Sequence, residues 1–409
     1  MIKPKTLRAS VLPTVLVVGT LMLLAVFALL GLLDIETTLY HGNRARKQKE
    51  AWLESAFLLW ERDSTLLNRL DQEGVFLLFE DDKQSRVTLS TEYWGLYERV
   101  QTSTDDGKIQ KVRLMGAATE SRHGAVLYVL NNRRAFTLTG KTDIRGTVYV
   151  PDNGVLYGQV NSDFFQGRPL DESVIRQSTE QFPETNSDLL RSLSEVRMMQ
   201  QVEPYSYVPT RRSFLEPTLY VECSDFTGAD LQGNIVVYSQ SPVRIDSTAR
   251  LEDVLLVAPA VTIGEGFSGL LQVLAGDSVV VKPRVTLKYP SGIILPAAGR
   301  DAFIRIEENA EVNGYAVVKL AGELPRNSRH KHYHQDEKGW VRGLVWTDGI
   351  AEVHGTVTGS FYVNQSNYYT PQGFYNNLLY NTLLYENRAM GYPLWMGGHY
   401  RRKTVKWLD

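Results

Sequence analysis

Short β-branched triplets recur between Asn234 and Val318, and their spacing constrains the fold more tightly than any other feature of the chain. Val243-Arg244-Ile245, Val261-Thr262-Ile263 and Val279-Val280-Val281 start eighteen residues apart. Ile304-Arg305-Ile306 follows after one more such step, lengthened by seven residues through Pro296, Gly299 and Arg300. Strands this short cannot build a hairpin core, and none can bury its apolar face alone. Each must stack on a neighbouring copy, so the fixed period predicts a β-solenoid over 216–320 with coils of about 18 residues.

The same rhythm extends beyond that stretch. Ala135–Val150, AFTLTGKTDIRGTVYV, alternates short apolar triplets with polar turns and reads as an early coil. Asp152-Asn153-Gly154 is turn chemistry, and Val155–Val160 is another short strand. Residues 131–215 therefore hold an early coil and then a helical insertion. Leu189, Leu190, Leu193, Val196 and Met199 form one apolar stripe, which predicts a helix over Ser187–Gln201 that caps or crosses the solenoid. Gly167–Ser187 is read as part of that insertion or as a connector. Leu344–Trp346 and Ala351–Val363 read as last coils, so 321–409 carries the final coils and a Tyr/Asn-rich cap. In that cap, tyrosines at 368, 369, 375, 380, 385, 392 and 400 alternate with asparagines. A terminal coil needs a polar outer face. Aromatic and amide groups also suit ligand surfaces, so Tyr368, Tyr369, Tyr375 and Tyr380 are the expected contacts for a polysaccharide.

The amino terminus sets the location. Residues 11–33 carry no charge, and at about 1.5 Å per helical residue they span roughly 34 Å, enough for a bilayer core. The run is too long for a cleaved secretory signal and ends in Asp34-Ile35-Glu36, so it is expected to be a retained single-pass anchor in contact with lipid. Residues 1–10 form a basic leader with Lys3, Lys5 and Arg8, which favours a cytoplasmic amino terminus. Arg44, Arg46, Lys47 and Lys49 oppose that orientation from further away. The expectation is an inner-membrane protein with its bulk outside the cytoplasm. Residues 34–72 read as a helical stalk, with Trp52, Leu53, Ala56, Phe57, Trp60 and Leu67 on one face. Gly74 ends it. Residues 73–130 read as a small antiparallel β region with strands at Val75–Glu80, Arg86–Ser90, Trp94–Val100, Lys111–Met115 and Ala125–Leu130. Asp81-Asp82-Lys83 and Asp105-Asp106-Gly107 supply the turns.

Three resemblances follow from these residues. LRASVLPTVLVVGTLMLLAVF resembles the start of a type IV pilin or pseudopilin, with Ala9-Ser10 at the processing junction. Thr14 then stands at the fifth mature position, where that family usually has glutamate. That resemblance implies a minor component of a pilus or secretion-type apparatus. GKTDIRGTVYVPDNGVLYGQV, AVTIGEGFSGLLQVLAGDSVVVKPRVTLKYPSG and KTVKWL together resemble an uncharacterised family of bacterial single-pass membrane proteins, which implies an architecture and supplies no catalytic residues. The coils alone also look like those of bactofilins, which polymerise through short-coil β-solenoids.

Composition narrows the function. The chain has 409 residues, 44 basic against 46 acidic, and a formal net charge of −2, so nothing draws the whole protein to nucleic acid. One cysteine, Cys223, excludes an intrachain disulfide. The chain has no phosphate-cradling loop and no nucleophile elbow. Gly264-Glu265-Gly266-Phe267-Ser268-Gly269 is read as a coil corner. Glu265, Lys282, Lys288, Glu307 and Glu308 are the residues a carbohydrate-cleaving β-helix would use, or else plain surface charge. His330, His332 and His334 share one face if extended and could bind a metal; the surrounding Arg and Lys favour a solvated loop. No catalytic, cofactor or metal residue is assigned. The chain is expected to be mainly β and non-enzymatic, a membrane-anchored platform for protein partners, with carbohydrate binding or cleavage as the alternative.

Overall fold

The computed structural model describes residues 11–62, 74–79, 85–119, 124–160, 162–198, 202–325, 327–371, 373–398 and 401–408. Leu67 and the Asp81-Asp82-Lys83 turn lie outside the described residues. The protein is mainly β, with one long helix near the amino terminus and a second, short one. Helix α1 runs unbroken over Val11–Arg62, so the apolar run and the expected stalk are one element. Its first part is long and apolar enough to cross a membrane and is exposed throughout.

The last turns of α1 bury the expected stripe. Trp52, Leu53, Ala56, Phe57 and Trp60 pack on Val87, Leu89, Val100 and Met115. Those residues come from an antiparallel sheet of β1 (Val75–Leu77), β2 (Arg86–Trp94), β3 (Tyr97–Thr104) and β4 (Gln110–Ala117). The expected strand Trp94–Val100 is instead split by a turn at Gly95, whose φ of +61° suits glycine. The sheet's other edge is Arg402–Trp407, which pairs with β4. Polar groups fix the helix to the sheet. Trp60 Nε1 donates to Glu98 Oε2 at 3.0 Å, and Arg402 Nε reaches the same oxygen at 2.9 Å. Glu54 pairs with both Lys111 and Arg113.

From Ala125 onward most strands join one barrel-like, almost wholly parallel sheet. Its long strands, such as Arg250–Ile263 and Ser268–Val281, bend at register shifts, including Glu252/Val254 and Ala258/Ala260. Each therefore contributes to three successive ladders. The triplets stand in register in one of them: Val243, Val261, Val279 and Ile304 pair in turn, then Tyr333 and Ala351. A second ladder aligns Leu287, Val312, Val341, Val357, Leu384 and Ile144. In the remaining one, Val237, Leu256, Val273, Ile293, Ala316 and Val345 point inward in register. All three inner rows meet in one core. Between the second ladder and this one the chain turns so sharply that Gly314, Gly343 and Gly359 stack with φ of +142°, +134° and +145°. A Cβ on Gly343 would overlap the carbonyl of Gly314.

The order of stacking departs from the order of the chain. Ala125–Val129, expected in the antiparallel region, pairs in parallel with Phe361–Val363 and with Thr147–Tyr149. All five of its residues are buried, as a parallel strand covered on both faces requires. The segment around Ala135–Val150 thus sits beyond the last repeats, with Asp143–Arg145 on Leu383–Tyr385. Leu378–Tyr380 likewise carries Thr137–Thr139. The Tyr/Asn-rich segment is therefore not the terminal cap expected for it, since further strands stack on it. The chain then crosses from Ile175–Gln177 at that end to Glu203–Pro204 at the other. Helix α2, Ser187–Arg197, lies on this crossing, capped by the Asn186 side chain at Leu189 N. Leu189 and Leu193 are buried against the outer face of the ladder that Val237 and Val345 line from within. Met199 lies outside the described residues.

Candidate functional site

The most chemically distinctive cluster lies on the outer face of the triplet ladder. The central residues of the triplets point outward there, in the order Arg244, Thr262, Val280, Arg305, His334, Glu352. The first four are exposed or half-buried, whereas Glu352 is only 2% exposed. The difference comes from a hairpin. Asn367–Thr370 leaves the ladder and pairs antiparallel with Gly373–Asn376, folding over Glu352 as a roof.

Beneath that roof one carboxylate gathers three nitrogen-bearing side chains. His334 Nδ1 lies 3.1 Å from Glu352 Oε2, and His354 Nε2 lies 3.3 Å from Oε1. Lys331 makes an ion pair with Oε2, and the Tyr369 N–H donates to Oε1 at 3.0 Å. On its other side, His334 Nε2 meets Asp336 Oδ1 at 2.6 Å. Burial alone would raise the Glu352 pKa. Hydrogen bonds from His334, His354, Lys331 and Tyr369 N outweigh it and hold the carboxyl far below the usual carboxylate range. Favoured in its ionised form and buried beneath the hairpin, the carboxylate is placed as a structural anion. The cluster is suited to locking the hairpin on the ladder.

The four tyrosines do not form a single surface. Neighbours on a strand face opposite ways, so Tyr368 and Tyr369 part. Tyr368 joins Tyr380 at a centroid distance of 4.8 Å and Tyr375 at 6.4 Å, with the His354 ring 5.4 Å away. Tyr369 stacks on Phe374 at 5.8 Å and gives its hydroxyl proton to Arg329 O at 2.9 Å. Tyr380 Oη donates to Asp163 Oδ2 at 2.9 Å, tying this region to the preceding coil.

The other candidates separate. Tyr333–Gln335 is a strand of the ladder and not part of a solvated loop, because Tyr333 and Gln335 point into the core. His332 is buried, its Nδ1 accepts from Ile350 N at 3.2 Å, and burial lowers its pKa to about 4. His330 meets it edge-on at 5.0 Å, while His334 belongs to the Glu352 cluster. Among the described residues no three His, Cys, Asp or Glu side chains are placed to hold a metal ion. The charged corner residues pair across successive strands: Glu265 with Arg284, Lys282 with Glu307 at 2.8 Å, Glu308 with Lys338 at 2.9 Å. Lys288 is exposed. The sequence reading passed over Glu352. The signal was present, since the eighteen-residue step that spaces the triplets also separates His334 from Glu352 and so superposes them. No family model, curated protein or solved structure matches this chain.

Proposed function

We propose that the protein is a non-enzymatic, membrane-anchored structural or assembly component of a bacterial envelope, in which the stacked parallel ladders form a short-coil β-solenoid that serves as a rigid platform. The observation that carries this reading is the joint between tether and stack. Gln272, on the outer face of one ladder, accepts from Leu96 N at 3.1 Å and from Tyr315 Oη at 2.6 Å, and its amide donates to Trp94 O at 3.0 Å. Trp94, Leu96 and Tyr97 bury there with Tyr315, Leu344 and Trp395. The sheet that grips α1 is thus also fixed to the platform, and displacement of one moves the other. The pairing of corner acids with bases also supports a scaffold over a glycosidase, which needs two free carboxyls about 5–9 Å apart.

In this reading α1 holds the chain in the inner membrane, the bulk lies outside the cytoplasm, and partners dock on the exposed outer rows. A pilin-like version adds removal of the leader at Ala9-Ser10. Photo-crosslinkers placed at Arg244 and Thr262 in native membranes test the platform. Discrete adducts with envelope proteins are expected; a lack of adducts together with release of reducing sugar from a polysaccharide would sink it. Mass spectrometry of the mature amino terminus tests the pilin-like version, and an intact Met1 rules it out.

A further inference from the structure

Beside the Tyr369–Phe374 stack, a cleft of about 720 Å³ opens between the coil beyond the last repeats and the hairpin. That volume falls within the roughly 300–1,000 Å³ of small-ligand sites. Its lining has no carboxylate, although the whole chain carries more acidic than basic residues. Two arginines, Arg134 and Arg329, line it together with Asn132, Asn327, Gln365 and Asn376. We infer that this cleft binds an acidic sugar unit of a glycan, its carboxylate held by Arg134 and Arg329 and its hydroxyls by the surrounding amides.

The two cations are exposed and have no acidic partner among the described residues. Arg133 is engaged by Glu180 at 2.6 Å, but its neighbour Arg134 has no acidic partner among the described residues. Arg329 has none there either, and its guanidinium rests 4.8 Å over the Phe374 ring. That contact orients the group without using up its N–H donors. The backbone of Arg329 is held by the Tyr369 hydroxyl, so the loop and the hairpin present a common surface.

The amides are equally positioned. Asn132 and Asn377 exchange side-chain hydrogen bonds at 2.8 and 2.7 Å, and Gln365 Nε2 donates to Asn376 Oδ1 at 2.8 Å. Each amide keeps further donor or acceptor capacity, which matches sugar hydroxyls that both give and take protons. A bare anion site would need the guanidinium groups alone. Four amides and the Ser328 hydroxyl around them are the chemistry of a polyhydroxylated ligand. The site lies on the opposite face of the hairpin from Tyr368, and it does not depend on the platform reading.

The test uses the full chain in nanodiscs of neutral phosphatidylcholine, titrated with oligogalacturonate, with a neutral galactose oligomer of equal length and with inorganic phosphate. Oligogalacturonate is expected to bind at least tenfold more tightly than the neutral oligomer, and less tightly as salt rises. The R134Q/R329Q double variant should lose at least tenfold, while R133Q, outside the cleft, should bind as the parent does. Both arginines are exposed, and unchanged thermal midpoints verify that the variants fold. The inference is overturned if the double variant keeps its affinity, if the neutral oligomer binds equally well, or if phosphate at equal concentration displaces the oligomer. It is also overturned if oligogalacturonate does not bind.

Discussion

Two outward rows of the same stack have opposite fates. In the ladder that faces the antiparallel sheet, Val257, Leu274, Ile294, Val317, Trp346, Tyr362, Tyr128 and Tyr149 stand in register and lie largely buried beneath α2, that sheet and the Tyr392–Met396 segment. In the triplet ladder, the equivalent row from Arg244 to Arg305 faces solvent. The inner rows of both are mostly aliphatic, with Tyr333 in one and Phe361 in the other, and they share one core. What distinguishes the ladders is the outer layer: one apolar and aromatic and covered, the other mostly polar and open. Only where the hairpin covers Glu352 does the second row become buried, and there charge pairing takes the place of apolar packing.

The largest expected effect lies on the covered row. Trp346 sits between Phe182 and Trp395, with ring centroids 5.0 and 5.2 Å away. Trp346→Ala should cost about 3–5 kcal/mol in urea unfolding; a loss below about 1 kcal/mol would mean that the covered outer layer does not hold the ladder to its neighbours. Next comes the roofed carboxylate. Glu352→Gln should destabilise by about 1–3 kcal/mol, because Lys331 loses its buried counter-charge. Its pH dependence has a definite sign. A carboxyl held below its unfolded value contributes stability above about pH 4.3, and that contribution is lost as the pH falls further. The acid limb of the stability curve should therefore be shallower in Glu352→Gln than in the parent; parallel limbs would contradict the assignment. The smallest effect belongs to the open row, where Thr262→Ala should stay within about 0.5 kcal/mol by the same denaturant assay. A larger loss there would erase the distinction between the two faces.

Much of this was legible in the residues. The triplets at 243, 261, 279 and 304 are in register, and the excursion through Pro296 and Arg300 leaves the ladder without breaking it. Trp52, Leu53, Ala56, Phe57 and Trp60 of the α1 stripe and Leu189 and Leu193 of the α2 stripe are buried, while Leu190 and Val196 are only partly so. These features were readable because they are local: alternation and spacing decide which side chains can share a face. Ala125–Val129 was misplaced because five consecutive apolar residues do not reveal whether their partners are antiparallel neighbours or a distant parallel strand. The site was only partly legible. Tyr368, Tyr375 and Tyr380 do converge, Tyr369 does not, and Glu352 gained its setting from a hairpin that pairs far from it in sequence.

The sequence by itself determined that this chain carries a long apolar helix and then repeats a short strand too small to stand alone, because charge-free length and period are properties of neighbours along the chain. Only the tertiary structure decided that the coil after Ala125 stacks beyond the last repeats, that Arg402–Trp407 completes the sheet gripping α1, and which outer row stays open. Those choices depend on closing long loops onto one of several chemically similar strands. The deciding free energy comes from outer-face contacts that no local pattern encodes.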